Sequence, residues 1–149
     1  MMRRLTTWLL ASALLVGMGG FFALRYIENE YRNYSALRSV QSLIEFHLRN
    51  AVDPDFPSSW TDLSNDFESC QPSGFSLKEL SERVIVNWEV GSRCFETANL
   101  IGPDEAESLL VISLFNGSRG RWHGADPNKN LVTSIREVSR TRNRGLVER

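Results

Sequence analysis

The run LTTWLLASALLVGMGGFFAL, Leu5 to Leu24, holds twenty residues without a charge. As a helix it rises about 30 Å, the thickness of a bilayer's hydrocarbon core. Arg3 and Arg4 precede it and Arg25 follows it. Trp8 and Tyr26 stand near its ends, where interfacial aromatics collect. A chain of 149 residues supports one domain core, which cannot surround a helix that is apolar all round. The run therefore reads as a single transmembrane span. No second run of this kind exists, which excludes a polytopic channel or transporter.

The span reads as an uncleaved signal-anchor. Gly17-Met18-Gly19 offers signal peptidase its small residues after a long enough apolar run, so cleavage is the alternative. Phe21-Phe22-Ala23-Leu24 carries the run on to full length and favours the anchor. Arg3 and Arg4 keep the short start in the cytoplasm, which puts the C-terminal domain on the extracytoplasmic side. Ala13 with Gly17, and Gly19 with Ala23, are small pairs at four-residue spacing, candidates for close packing between spans.

Beyond the span, Arg25 to Ala51 contains no Pro and no Gly. Ile27, Tyr31, Tyr34, Leu37, Val40, Leu43, Ile44 and Leu48 recur mostly three or four apart, a helical seam. Asp53-Pro54 and Pro57 end that helix. Ser59 to Asp62 and Ser76 to Glu79 read as capping boxes opening short helices. The rest reads as a meander. Val84 to Val90 is its first strand, turning at Gly91-Ser92, and Arg93 to Leu100 returns. Leu109 to Phe115 is central, and Asn116-Gly117 turns the chain into Ser118 to Trp122. Asn130 to Arg140 fits either a short helix or a strand, and Thr141 to Arg149 reads as a polar tail.

The expected fold class is α+β, a long N-terminal helix packed on a small antiparallel meander sheet. Its parts are a cytoplasmic basic start (1–4), a transmembrane helix (5–24), an amphipathic helix (25–51), an extracytoplasmic α+β head (52–140) and a flexible tail (141–149).

This layout resembles the type IV pilins and type II secretion pseudopilins. Locally the likeness lies in Ser42-Leu43-Ile44-Glu45-Phe46, then Phe56-Pro57-Ser58-Ser59-Trp60 and Leu63. It implies a helix exiting through a Pro-containing segment onto a small sheet. The prepilin cleavage motif is missing: Gly20-Phe21 stands at the end of the apolar run, and the fifth position is Arg25 rather than Glu.

Candidate chemistry is sparse. Cys70 and Cys94 are the only cysteines and form a candidate disulfide on an oxidising side of a membrane. Their spacing matches no zinc pattern, and no metal or cofactor is expected. His47 reads as a packing histidine on the long helix. His123 with Asp126 and Ser118 suggests a hydrolase only in outline, since no catalytic motif supports it. Asp53, Asp55, Asp62, Asp66 and Glu68 lack calcium-loop spacing and read as caps and solvated charge. From Arg119 onward there are eight basic and three acidic residues, against seven and fifteen between Arg25 and Ser118. The basic end lacks the aromatic interleaving of a nucleic-acid binder, so no nucleic acid is expected. The expected role is a non-enzymatic, membrane-anchored envelope component that binds or assembles. Its expected partners are the lipid bilayer and a protein or second copy met through the span. The alternative is an anchored small extracytoplasmic hydrolase.

Overall fold

The computed structural model describes residues 2–51, 55–70, 74–98, 100, 102–120 and 126–147, without the side chains of 2–15, 103, 106, 107 and 143–147. Helix α1 runs Met2–Asn50. It is followed by α2 (Ser64–Cys70), α3 (Leu77–Arg83), strand β1 (Val84–Val86), α4 (Trp88–Glu96), α5 (Pro103–Ser108), strand β2 (Ile112–Leu114) and α6 (Pro127–Val147). The chain divides into two compact units, Met1–Arg32 and Asn33–Arg149. The class is α+β, with a long N-terminal helix and a small antiparallel sheet.

In the first unit the transmembrane reading is corrected. Among the described residues, no helix is long and apolar enough to cross a membrane. The physical reason lies in the side chains from Val16 onward. Among the described side chains, only the nine from Val16 to Leu24 precede the charges of Arg25, Glu28, Glu30 and Arg32 on the same helix, whereas a span needs about 20 apolar residues. The side chains of Leu5 to Leu15, with Trp8 and Ala13 among them, lie outside the described residues. The signal-anchor and extracytoplasmic placements rest on that span and fall with it.

In the second unit the helical seam is real but begins later than its sequence pattern. Ala36, Leu37, Val40, Leu43, Ile44 and Leu48 are completely or almost completely buried. They share one core with Leu80, Val84, Val86, Cys94, Phe95, Ile112, Leu131 and Ile135. These side chains recur at three- and four-residue steps, so one stripe of the helix supplies a full wall of the core.

Among the described residues the meander is corrected to two strands. β1 and β2 pair antiparallel, with Val84 opposite Leu114, Ile85 opposite Ser113 and Val86 opposite Ile112. Val84 to Val86 alternates in and out as a strand should, but Asn87 stops it. The Asn87 side chain accepts the backbone N–H of Val90 and caps α4. Glu89 and Arg93 then pair one turn apart at 2.8 Å. Gly91, Cys94, Phe95 and Ala98 are the buried positions, at helical spacing. Gly91 is thus a contact point inside a helix and not a hairpin turn.

The turn after β2 uses three residues rather than two. Gly117 donates to the Leu114 carbonyl at 2.7 Å, and Leu114 donates to Ser118 at 2.8 Å. Gly117 takes the positive φ of 78° that closes such a turn. Ser118 to Gly120 continues without strand structure, and Arg121 and Trp122 lie outside the described residues.

The segment Asn130 to Arg140 belongs to α6, as does most of the expected tail. Asp126 accepts the Lys129 N–H with its side chain, and Pro127 occupies the first helical position, where its missing N–H costs nothing. Near the other end, Arg142 pairs with Asp55 at 2.9 Å and lies over the Phe95 ring. One expected capping box forms at a helix start, and the other only reaches back ahead of α2, which begins at Ser64. Ser76 and Glu79 exchange bonds at the start of α3, and Asp62 reaches back to Ser58 and Ser59 before α2.

Candidate functional site

The acidic stretch separates into unrelated tasks. Asp55 holds Arg142. Asp62 accepts the Ser58 N–H at 2.7 Å, its hydroxyl at 2.8 Å and the Ser59 N–H at 3.1 Å. These bonds to the charged form, the Ser58 hydroxyl first, hold the Asp62 carboxyl below its ordinary value. Asp66 meets His47, and Glu68 is exposed. Asp53 lies outside the described residues. Among the described residues no three His, Cys, Asp or Glu side chains gather closely enough to hold a metal ion.

His47 and Asp66 form a close contact that nothing in the sequence suggests. Nδ1 and Oδ2 are 2.6 Å apart, with about a fifth of each side chain exposed. Nineteen residues separate the two, and the bond ties the end of α1 to α2. A His–Asp pair orients an imidazole, but catalysis also needs a nucleophile activated by it. Cys70, one turn beyond Asp66, is the neighbouring thiol. Burial, with the Asp66 charge second, pushes its pKa up and favours the unreactive thiol.

Cys94 is completely buried, and burial likewise pushes its thiol up, against a smaller opposite pull from Arg136. Both cysteines are free thiols in the structure, so the candidate disulfide is not formed in it. Ser118 is exposed on the turn after β2. Asp126 is buried, engaged as a cap and 3.8 Å from Arg119. His123 lies outside the described residues.

The buried polar groups form structural ties. Asn128 accepts the N–H groups of Val111 and Ile112 on one oxygen, at 2.8 and 3.0 Å. Its amide donates to the Leu109 carbonyl at 2.8 Å. Glu45 accepts from both Gln41 and Ser134. Asn128 stands one residue past Pro127 at a helix start, but its partners lie on a distant segment that no local pattern names.

Among the described residues, most of the exposed large apolar side chains lie in the first unit. Val16 is 76% exposed and Phe22 64%, and Met18, Phe21, Leu24 and Ile27 are also more than half exposed. At about 100° per residue these positions fall on every side of the helix. Of the small residues expected to pack there, Gly17 and Gly19 have no atom within 4 Å of where a Cβ would stand. Ala23 is exposed, and the Ala13 side chain lies outside the described residues.

No family model, curated protein or solved structure matches the chain. The pilin-like reading is corrected accordingly. No relative supports it, and among the described residues the sheet is a two-stranded pair rather than a meander.

Proposed function

We propose that this chain is a non-enzymatic binding or assembly component whose docking element is the exposed apolar part of α1. One observation carries the reading: the large apolar side chains from Val16 to Ile27 are uncovered on all sides of the helix. A helix with that surface is stable in water only when other apolar groups enclose it. His47–Asp66 lacks an activated nucleophile, and burial holds Cys70 and Cys94 as thiols.

The test uses the full chain with Phe21 and Phe22 both changed to Ser. Sedimentation and photo-crosslinking from position 18 report association. The unaltered chain should give a discrete complex of defined stoichiometry, and the double variant should run as a single chain with an unchanged head. A single-chain mass for the unaltered protein, with no crosslinked product, overturns the reading.

A further inference from the structure

Asn116 is the only asparagine in the sequence that is followed by glycine. It lies on the turn after β2, where residues 115 to 118 are all exposed. We infer that Asn116–Gly117 is a site of spontaneous covalent modification, in which Asn116 converts to a mixture of aspartate and isoaspartate. The inference is independent of the assembly reading.

The chemistry needs only water. The Gly117 backbone nitrogen, once deprotonated, attacks Cγ of Asn116. A C–N bond forms in a five-membered imide, and the side-chain amide leaves as ammonia with the displaced proton. One water then opens the ring at either carbonyl. Opening at one leaves an ordinary aspartate in place of Asn116. Opening at the other leaves an isoaspartyl link with an extra methylene in the main chain. The sum is asparagine plus water to aspartate or isoaspartate plus ammonia, with no change in oxidation state.

Three features of the turn favour the ring closure. Gly117 has no Cβ to block the approach of its nitrogen. No atom lies within 4 Å of where such a Cβ would stand, so the neighbourhood is open. The side-chain oxygen of Asn116 accepts the Ser118 N–H at 3.0 Å, which holds the amide folded over its own backbone. One contact opposes it: Gly117 donates its N–H to Leu114 at 2.7 Å. That bond must open first, which is a local event in an exposed turn and does not require global unfolding.

The consequence reaches the core. Gly120, three residues on, has φ of 52°, and a Cβ there would overlap the Leu37 side chain. Gly120 therefore lies directly on a buried position of α1. An isoaspartyl link lengthens the chain between Leu114 and Ser118 and breaks the spacing of their 2.8 Å bond. It loosens residues 118 to 120 and exposes the peptide bond after Arg119 to protease.

The test incubates the full chain, folded in buffer and unfolded in urea, at mildly alkaline pH, and locates the modification by peptide mass spectrometry. The folded chain should gain the mass of an NH2-to-OH exchange at Asn116 before any other asparagine. An isoaspartate methyltransferase should label it, and cleavage after Arg119 should speed up in the converted fraction. Gly117→Ala should slow the conversion about tenfold or more in both states, because the new Cβ crowds the attacking nitrogen. Conversion in urea with none in the folded chain overturns the inference. So does conversion that begins at another asparagine.

Discussion

Gly91 packs against the ring of Phe56 so closely that a Cβ on Gly91 would overlap the ring's edge. Both residues are buried, and Phe56 also contacts Trp88, which stands edge-on to Trp60. The missing side chain therefore lets α4 approach the segment that leaves α1.

Gly91→Ala should destabilise the head by about 1–3 kcal/mol, the usual cost of overpacking. Ala is the better helix former, so local propensity alone predicts the opposite sign. Urea unfolding reads the effect. Adding Phe56→Leu should recover part of the loss, because the clash is specific to the ring. Strictly additive losses in that double-mutant cycle would defeat the explanation.

How far the sequence discloses each element depends on how local its signal is. The buried face of α1 from Leu37 to Leu48 follows directly from its three- and four-residue spacing. The Ser76–Glu79 capping box and the reach of Asp62 back to Ser58 and Ser59 are legible because donor and acceptor lie within four residues of each other. α4 misleads because Val84, Val86, Trp88 and Val90 alternate like a strand. The cap at Asn87 overrides that alternation, and the buried positions beyond it follow helical spacing. α6 is half-legible: Asp126-Pro127 is a helix start, yet its β-branched residues also permit a strand. The His47–Asp66 and Asn128–Val111 contacts join distant segments, so a single sequence contains no sign of either.

Asn128→Ala should be among the most damaging polar substitutions in the head. It leaves the N–H groups of Val111 and Ile112 and the carbonyl of Leu109 without their bonds to the amide. A loss of about 2–4 kcal/mol is expected, since each unsatisfied buried group costs about 1–3 kcal/mol. Thermal or urea unfolding measures it. A loss within about 0.5 kcal/mol, the range of ordinary surface changes, would show that water or a backbone shift replaces the amide.

The two thiols should differ in reactivity. Cys94 is completely buried and Cys70 only partly so, and the pKa of each is raised chiefly by burial. Under native conditions at neutral pH, an alkylating reagent should modify Cys70 first and Cys94 only as the head opens. Both should react more slowly than in the unfolded chain. Mass spectrometry of timed samples gives the order. Equal rates at the two sites, or Cys94 reacting first, would contradict the packing described for α4.

Asp62 gives the head a defined acid response. Its carboxyl is held below the ordinary value of 3.8, first by the Ser58 hydroxyl. A carboxyl depressed in the fold contributes stability above its unfolded pKa and loses it as pH falls through the lower folded value. The side chain is exposed, so solvent screening keeps the contribution at the scale of a helix cap, about 0.5–1 kcal/mol. Asp62→Ala should therefore be less stable than the unaltered chain at pH 7. The gap should narrow as pH drops below about 4, because protonation removes the charged acceptor in the unaltered chain. Taking the difference between the two proteins cancels the other carboxylates, which titrate in both. A gap that stays constant from pH 7 to pH 2 would mean that Asp62 acts through packing alone and that its three bonds to Ser58 and Ser59 carry no charge-dependent stability.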